Sequence, residues 1–306
     1  IIKKIKDGKA HEISEADTMY LGACTKGADA ESNYRSQPYS DIKARQRAFC
    51  LKQSYMTSVL RNKLSKERQE SIFKIEDIIN NTFEILMELK LKPYYGKSEK
   101  ELFKMFGLEN STSKNKFNIL VGRMLGINGN INNSEEFEKA NIQLKTIRVE
   151  EDGHIEQDMS FPYFKYLEIV QEEWETSEVK TMFEQSKFMF VVFKKKGDLF
   201  HFEKIKFWNM PISDIEKYVK PIFEKTIDCI KNGNIVRKMT PSKYYTNFPG
   251  SKFNGVCHVR PHGQKAARNL DKGLALPVVD EVSGLKEYTK YCFWLDSRYI
   301  RKAIED

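Results

Sequence analysis

Residues 137–149 read Phe137-Glu138-Lys139-Ala140-Asn141-Ile142-Gln143-Leu144-Lys145-Thr146-Ile147-Arg148-Val149. From Ile142 onward apolar and polar residues alternate, which predicts a strand over Ile142–Val149. Alternation also sets Gln143 and Lys145 on one face, because residues two apart in a strand point the same way. Further along, Phe188–Lys194 is a near-continuous apolar run, the pattern of a buried central strand. Phe200–Trp208 alternates again and is expected as its antiparallel neighbour. Ile212–Asn232 returns to helical spacing. On the N-terminal side, 98–107 and 114–126 read as short helices, with Gly-Asn punctuation at 126–133. Residues 64–95 carry Ile72, Ile75, Ile79, Phe83 and Leu86 at spacings of three and four, which predicts a helix connecting two domains. Residues 46–63 combine a strand-like stretch with a helix start at Ser54-Tyr55-Met56-Thr57. The order of elements predicts an α/β fold, a mixed central sheet flanked by helices.

Composition supports a folded chain: 40% of its residues are hydrophobic and 31% charged, the profile of ordinary globular proteins. No apolar run approaches the ~20 residues that span a bilayer, and no charged-then-apolar leader opens the chain. Five scattered cysteines, Cys24, Cys50, Cys229, Cys257 and Cys292, read as reduced thiols and a cytoplasmic location. The first residues, Ile1-Ile2-Lys3-Lys4-Ile5-Lys6, lack a methionine and an N-cap, so the native polypeptide is expected to start upstream. The net charge is +8, unevenly spread. Residues 1–63 hold 12 Lys/Arg against 7 Asp/Glu, and residues 240–306 hold 11 against 7. Two basic ends flank a near-neutral middle, suggesting two anion-facing surfaces.

The same landmarks occur twice in one order. Ile5-Lys6-Asp7-Gly8 is matched by Ile230-Lys231-Asn232-Gly233, each ending a helix with a glycine suited to a C-cap. Strand-like Tyr20–Ala28 is matched by Val256–His262, and both run into a basic loop. Phe49-x-Leu51-x3-Tyr55 is matched by Phe293-x-Leu295-x3-Tyr299 before a closing helix. Two tandem domains of one fold are expected, the first represented by its final third: 1–65 as a recognition lobe, 66–95 as a helical linker, and 96–306 as the second domain.

Residues 137–149 resemble the catalytic strand of the MutH family of GATC nickases, whose pattern is Gly-Ile-Glu-Leu-Lys-Thr-Ile-x-Val. Trp174-Glu175-Thr176-Ser177 and the run 188–193 follow that family's order. His258-Val259-Arg260-Pro261 resembles its Arg-Pro-Lys recognition loop, and Lys26-Gly27-Ala28-Asp29-Ala30 stands in the same position of the first copy. Tandem MutH-like domains mark the Sau-type type II restriction endonucleases that cut at GATC. The resemblance covers essentially the whole chain and implies the MutH-like restriction-endonuclease fold.

It also implies where cutting should and should not occur. Nucleases of this fold hold Mg²⁺ with an Asp and a Glu beside a Lys; the ion activates water and offsets phosphate charge. Lys145 is kept, but the Glu position is Gln143, and the Asp position falls at Glu136. No catalytic or metal residue is therefore assigned, and this domain is expected to be a pseudo-nuclease. Cleavage, with its Mg²⁺, is expected upstream of Ile1. The chain itself is expected to bind double-stranded DNA containing GATC as the effector part of a type IIE-like enzyme, with dimerisation on DNA as a further expectation. An active nicking endonuclease and a non-enzymatic interaction domain are the alternatives.

Arg260 is the residue chosen for a guanine contact, since Arg can pair bidentately with O6 and N7. Lys26 with Gly27 is its counterpart in the first copy, and Pro261 and His262 complete the loop. Lys265 and Arg268, and Arg45 and Arg47 in the first copy, suit phosphate contacts. Trp174 and Trp208 are read as packing residues. Cys257, His258 and His262 lack a second pair at zinc-ligand spacing.

Overall fold

The computed structural model describes residues 1–27, 33–64, 69–74, 76–77, 81–240, 244–262 and 273–305. Ala28, Asp29, Ala30, Ile75, Ile79, Lys265 and Arg268, singled out above, lie outside these. Contacts divide the chain into two compact units. One is Ile1–Glu156 with Glu184–Ile212; the other is Gln157–Phe183 with Ser213–Asp306.

The strands are, in chain order, β1 (Leu21–Thr25), β2 (Tyr34–Gln37), β3 (Ser40–Arg45), β4 (Arg47–Leu51), β5 (Ile142–Val149), β6 (Met159–Tyr163), β7 (Lys187–Lys196) and β8 (Leu199–Trp208). They continue with β9 (Val236–Met239), β10 (Tyr244–Thr246), β11 (Cys257–Pro261), β12 (Leu274–Ala275), β13 (Glu287–Tyr288) and β14 (Tyr291–Leu295). Helices used below are α1 (Ile2–Lys6), α2 (Gln53–Leu64), α3 (Phe83–Leu91), α4 (Glu99–Met105), α5 (Lys116–Met124), α6 (Glu135–Ala140), α7 (Lys220–Lys231) and α8 (Ser297–Glu305). The chain is thus α/β, with several small sheets and helices.

The first unit is built on a mixed three-stranded sheet ordered β5-β7-β8. β7 runs parallel to β5 and antiparallel to β8. It takes the middle because Phe188 through Val192 and Phe193 are all fully buried. Hiding each such side chain is worth roughly 1.5–3 kcal/mol, which only a strand covered on both faces can supply. On one face, Ile142 and Leu144 of β5 and Met189, Val191 and Phe193 of β7 join a single core with α3, α4, α5 and α6. Leu86, Met87, Leu102, Leu120, Val121 and Phe137 are the helical contributions. α4 starts at a capping box: Ser98 Oγ accepts from the Glu101 N–H, and the Glu101 carboxylate accepts from the Ser98 N–H, which satisfies two orphan donors at once.

The expected connecting helix over 64–95 is confined, among the described residues, chiefly to α2's end and to α3. The α3 helix starts late, where Thr82 Oγ1 accepts from Ile85 N–H. At Ile72 and Phe73 the backbone N–H groups donate to the Glu136 carboxylate instead of to a helical ladder. Ile72 and Phe83 are buried as their spacing suggests, but from separate segments.

The second unit holds the antiparallel sheet β11-β14-β6 and the hairpins β9–β10 and β12–β13. Val259, Phe293 and Leu295 are buried on one face of the sheet. The expected helix over 212–232 opens into a π-turn at Ile215–Val219 before α7. Pro221, which has no N–H to give the ladder, stands at the start of α7 and accounts for the wider turn.

Candidate nucleic-acid interface

Asn141 adopts the left-handed conformation, φ 54°, between α6 and β5. Asn is among the few residues that visit this region readily, and its Nδ2 donates to Gln185 O at 3.2 Å. The turn sets the start of β5 and so the direction of Gln143. Gln143 Nε2 lies 3.4 Å from Ser186 Oγ and opens on a cavity of about 500 Å³ that also meets Gln53, Asn132, Asn141 and Gln185. The cavity's carboxylate, Glu138, is ion-paired with Arg61. Glu136, only 2% exposed, is fully engaged: its carboxylate accepts from Ser71 Oγ at 2.7 Å and from the backbone N–H groups of Ile72 and Phe73. Burial holds the Lys145 ammonium below the ordinary lysine range.

These donors do not fit Mg²⁺. A hard divalent cation takes charged carboxylate oxygens, whereas the cavity offers amides and hydroxyls, its one carboxylate, Glu138, is taken by Arg61, and Glu136 is turned onto backbone. Among the described residues, no three His, Cys, Asp or Glu side chains gather as a metal-ligand set. His262 Nδ1 does approach Cys292 Sγ at 3.3 Å. Burial pushes the Cys292 thiol up to about 11 and Cys257 well above its ordinary value, and a raised thiol is a poor metal ligand.

In the second unit, His258, Arg260 and His262 alternate along one face of β11. Cross-strand register adds Trp294 opposite His258, and Cys292 opposite Arg260. Arg260 is half-exposed; its Nη1 donates to Asp158 Oδ2 at 2.8 Å, and its guanidinium carbon lies 3.9 Å from the Trp294 ring centre. His258 is buried beside it, with Nε2 3.6 Å from the same Asp158 oxygen; desolvation lowers its pKa. Lys290 Nζ sits 4.2 Å above the Tyr163 ring. His262 is exposed and Pro261 half-buried. Trp174 packs on Phe223 and donates to Glu216, and Trp208 stacks on Phe190. Both are packing residues. Trp294, which the sequence reading did not select, is the tryptophan beside Arg260.

In the first unit Lys26 and Gly27 are exposed, and Arg45 Nε donates to Tyr34 OH at 3.2 Å. Arg47 is held differently. Nη1 donates to Ala23 O at 2.6 Å and Nη2 pairs with Glu184 at 3.0 Å, so its side chain braces the unit.

The two copies of the repeat share their geometry. Gly8 (φ 68°) and Gly233 (φ 61°) both end a helix in the left-handed region. A Cβ on Gly8 would lie 2.5 Å from Tyr39 O, and one on Gly233 2.6 Å from Val279 O. Two residues on, the Ala10 N–H donates to Gln37 Oε1 and the Ile235 N–H to Asp280 Oδ2. Leu21 pairs with Leu51 as Cys257 does with Leu295, and Ala23 with Phe49 as Val259 does with Phe293. One rung further, Lys26 N–H donates to Gln46 O and His262 N–H to Lys290 O, each at 2.9 Å. This register makes Lys26 the counterpart of His262, and Cys24 that of Arg260. The copies differ in what covers them. Leu21, Phe49, Leu51, Met56 and Leu60 are 44% to 71% exposed, whereas Cys257, Phe293, Leu295, Ile300 and Ile304 are at most 4% exposed.

The chain is 36% identical, across an alignment 334 positions long, to the type II restriction enzyme Sau3AI of Staphylococcus aureus. That alignment takes in 99% of this chain and 68% of the enzyme. The chain belongs to the family of these type II restriction enzymes. No family model matches it. No helix among the described residues is long and apolar enough to cross a membrane.

Proposed function

We propose that this chain binds double-stranded DNA at GATC and does not itself cut it, acting as the effector part of a type IIE-like restriction endonuclease with a MutH-like fold. The observation that carries the reading is the pairing of a half-exposed, stacked Arg260 with a β5 strand whose carboxylate position is Gln143. A guanidinium so presented suits guanine recognition in the major groove, and an amide in place of a carboxylate removes a Mg²⁺ ligand. Pro261 and His262 are assigned to the recognition loop that holds Arg260, Lys26 and Gly27 to the matching loop of the first copy, and Arg45, Lys265 and Arg268 to phosphate contacts, which position a protein without reading sequence. Arg47 is left with its bracing role.

Residues 1–65 are assigned to the recognition lobe of a first, catalytic domain whose Mg²⁺-dependent site lies outside residues 1–306. Their support is the exposed apolar face of Leu21, Phe49, Leu51, Met56 and Leu60, which is core in the second copy.

Substitution tests both halves. Arg260→Ala is expected to lower the preference for GATC over a scrambled duplex by about 1–3 kcal/mol while binding to the scrambled duplex persists. Gln143→Glu alone is expected to yield no Mg²⁺-dependent nicking, since Glu136 stays committed to Ser71, Ile72 and Phe73. Preserved preference in the first variant would refute the base-contact half, and Mg²⁺-dependent nicking by the unaltered chain would refute the non-cutting half. Nicking by the second variant would refute only the claim that Glu136 is out of the metal's reach.

A further inference from the structure

We propose that Asp158 and Trp294 are positioning residues that fix the Arg260 guanidinium for a guanine edge; this rests on the reading of Arg260 as a base contact. Three strand segments converge here. Asp158 immediately precedes β6, Arg260 lies on β11 and Trp294 on β14, the strand between them. Asp158 is itself anchored, its Oδ1 accepting from the Ser297 N–H at 2.9 Å at the first residue of α8. Its Oδ2 then takes Arg260 Nη1 at 2.8 Å. Trp294 supplies the platform, 3.9 Å from ring centre to guanidinium carbon, and its Nε1 donates back to Arg260 O at 3.4 Å.

The arrangement holds the guanidinium from one edge and one flat face. The carboxylate is the shielded member, 17% exposed against 47% for the Arg260 side chain, so the fork's remaining donors are the ones that reach solvent. Arg presents five N–H donors in a rigid plane, and one spent on Asp158 leaves enough for a bidentate contact. A half-exposed ion pair contributes little to folding stability. Its consequence is order: the rotamer freedom an unrestrained arginine would lose on binding has already been lost. A site built to read a base needs its side chain held in this way by a supporting shell.

The test compares GATC duplexes carrying guanine or 7-deazaguanine, which lacks the N7 acceptor. The unaltered chain is expected to prefer guanine by about tenfold. Arg260→Ala should abolish that preference. Asp158→Asn, which keeps an acceptor for the Ser297 N–H, and Trp294→Ala should each reduce it to about threefold or less. Trp294→Tyr, which retains an aromatic face, should restore most of it, with unfolding midpoints confirming that every variant is folded. If the preference survives Arg260→Ala, the base-contact reading fails and this proposal with it. If Arg260→Ala abolishes it while Asp158→Asn and Trp294→Ala leave it whole, positioning alone is refuted. A larger guanine preference in Asp158→Asn than in the unaltered chain would also overturn it, by showing that the carboxylate masks Arg260.

Discussion

The resemblance to the MutH catalytic strand singles out Gln143 as the position where that family carries a glutamate, and period-two alternation sets it on the same face as Lys145. The use of Glu136 is not readable in the same way. Its partners Ser71, Ile72 and Phe73 lie 63 to 65 residues earlier in the chain, and nothing local announces that their N–H groups need an acceptor. Asp158 and Trp294 escaped sequence reading for the same reason, since only cross-strand register brings them to Arg260. Lys52 is a further case: its Nζ donates to Thr18 O at 2.7 Å and Ala140 O at 3.1 Å. Desolvation, then the Lys187 charge, lowers its pKa from the ordinary 10.5 to about 8. Between those values the unfolded chain keeps a proton that the folded chain has released, so stability from this group rises with pH across the window. Relative to Lys52→Met, the unaltered chain is expected to gain about 1 kcal/mol between pH 7.5 and 9 in urea unfolding. A difference that stays flat or falls with pH would contradict the burial argument.

Elements with strong periodicity were legible almost to their ends. β5, β7 and β8 fall where alternation and the apolar run put them, because burial on one or both faces dictates those patterns. The segment before α3 was misleading: apolar spacing of three and four reflects separate contacts of Ile72 and Phe83 with one core. The repeated helix–glycine junction was legible as a C-cap, but its close approach to a hairpin carbonyl was not. Gly8→Ala and Gly233→Ala each combine a positive φ with overlap on Tyr39 O or Val279 O. Each is expected to cost about 2–3 kcal/mol of stability, read from denaturation midpoints. A loss at one site and none at the other would mean that the two junctions are not equivalent.

For the whole molecule, basic residues accumulate in 1–63 and 240–306, the segments that carry the two copies of the repeat. One copy is covered and the other presents an apolar face, the difference on which the proposed two-domain arrangement, with recognition twice and cleavage once, is built. Family membership fixes the restriction-enzyme context, while the division of labour proposed above is argued from Gln143, Glu136 and Arg260. The most direct test is binding of this chain to a GATC duplex and a scrambled duplex across a salt series, with and without Mg²⁺, scoring cleavage in the same samples. Phosphate contacts make the affinity for both duplexes fall as salt rises. The expected result is a preference for GATC that persists across the series, with both duplexes intact in Mg²⁺. Equal, weak binding to both duplexes, or Mg²⁺-dependent cutting of either, would contradict it.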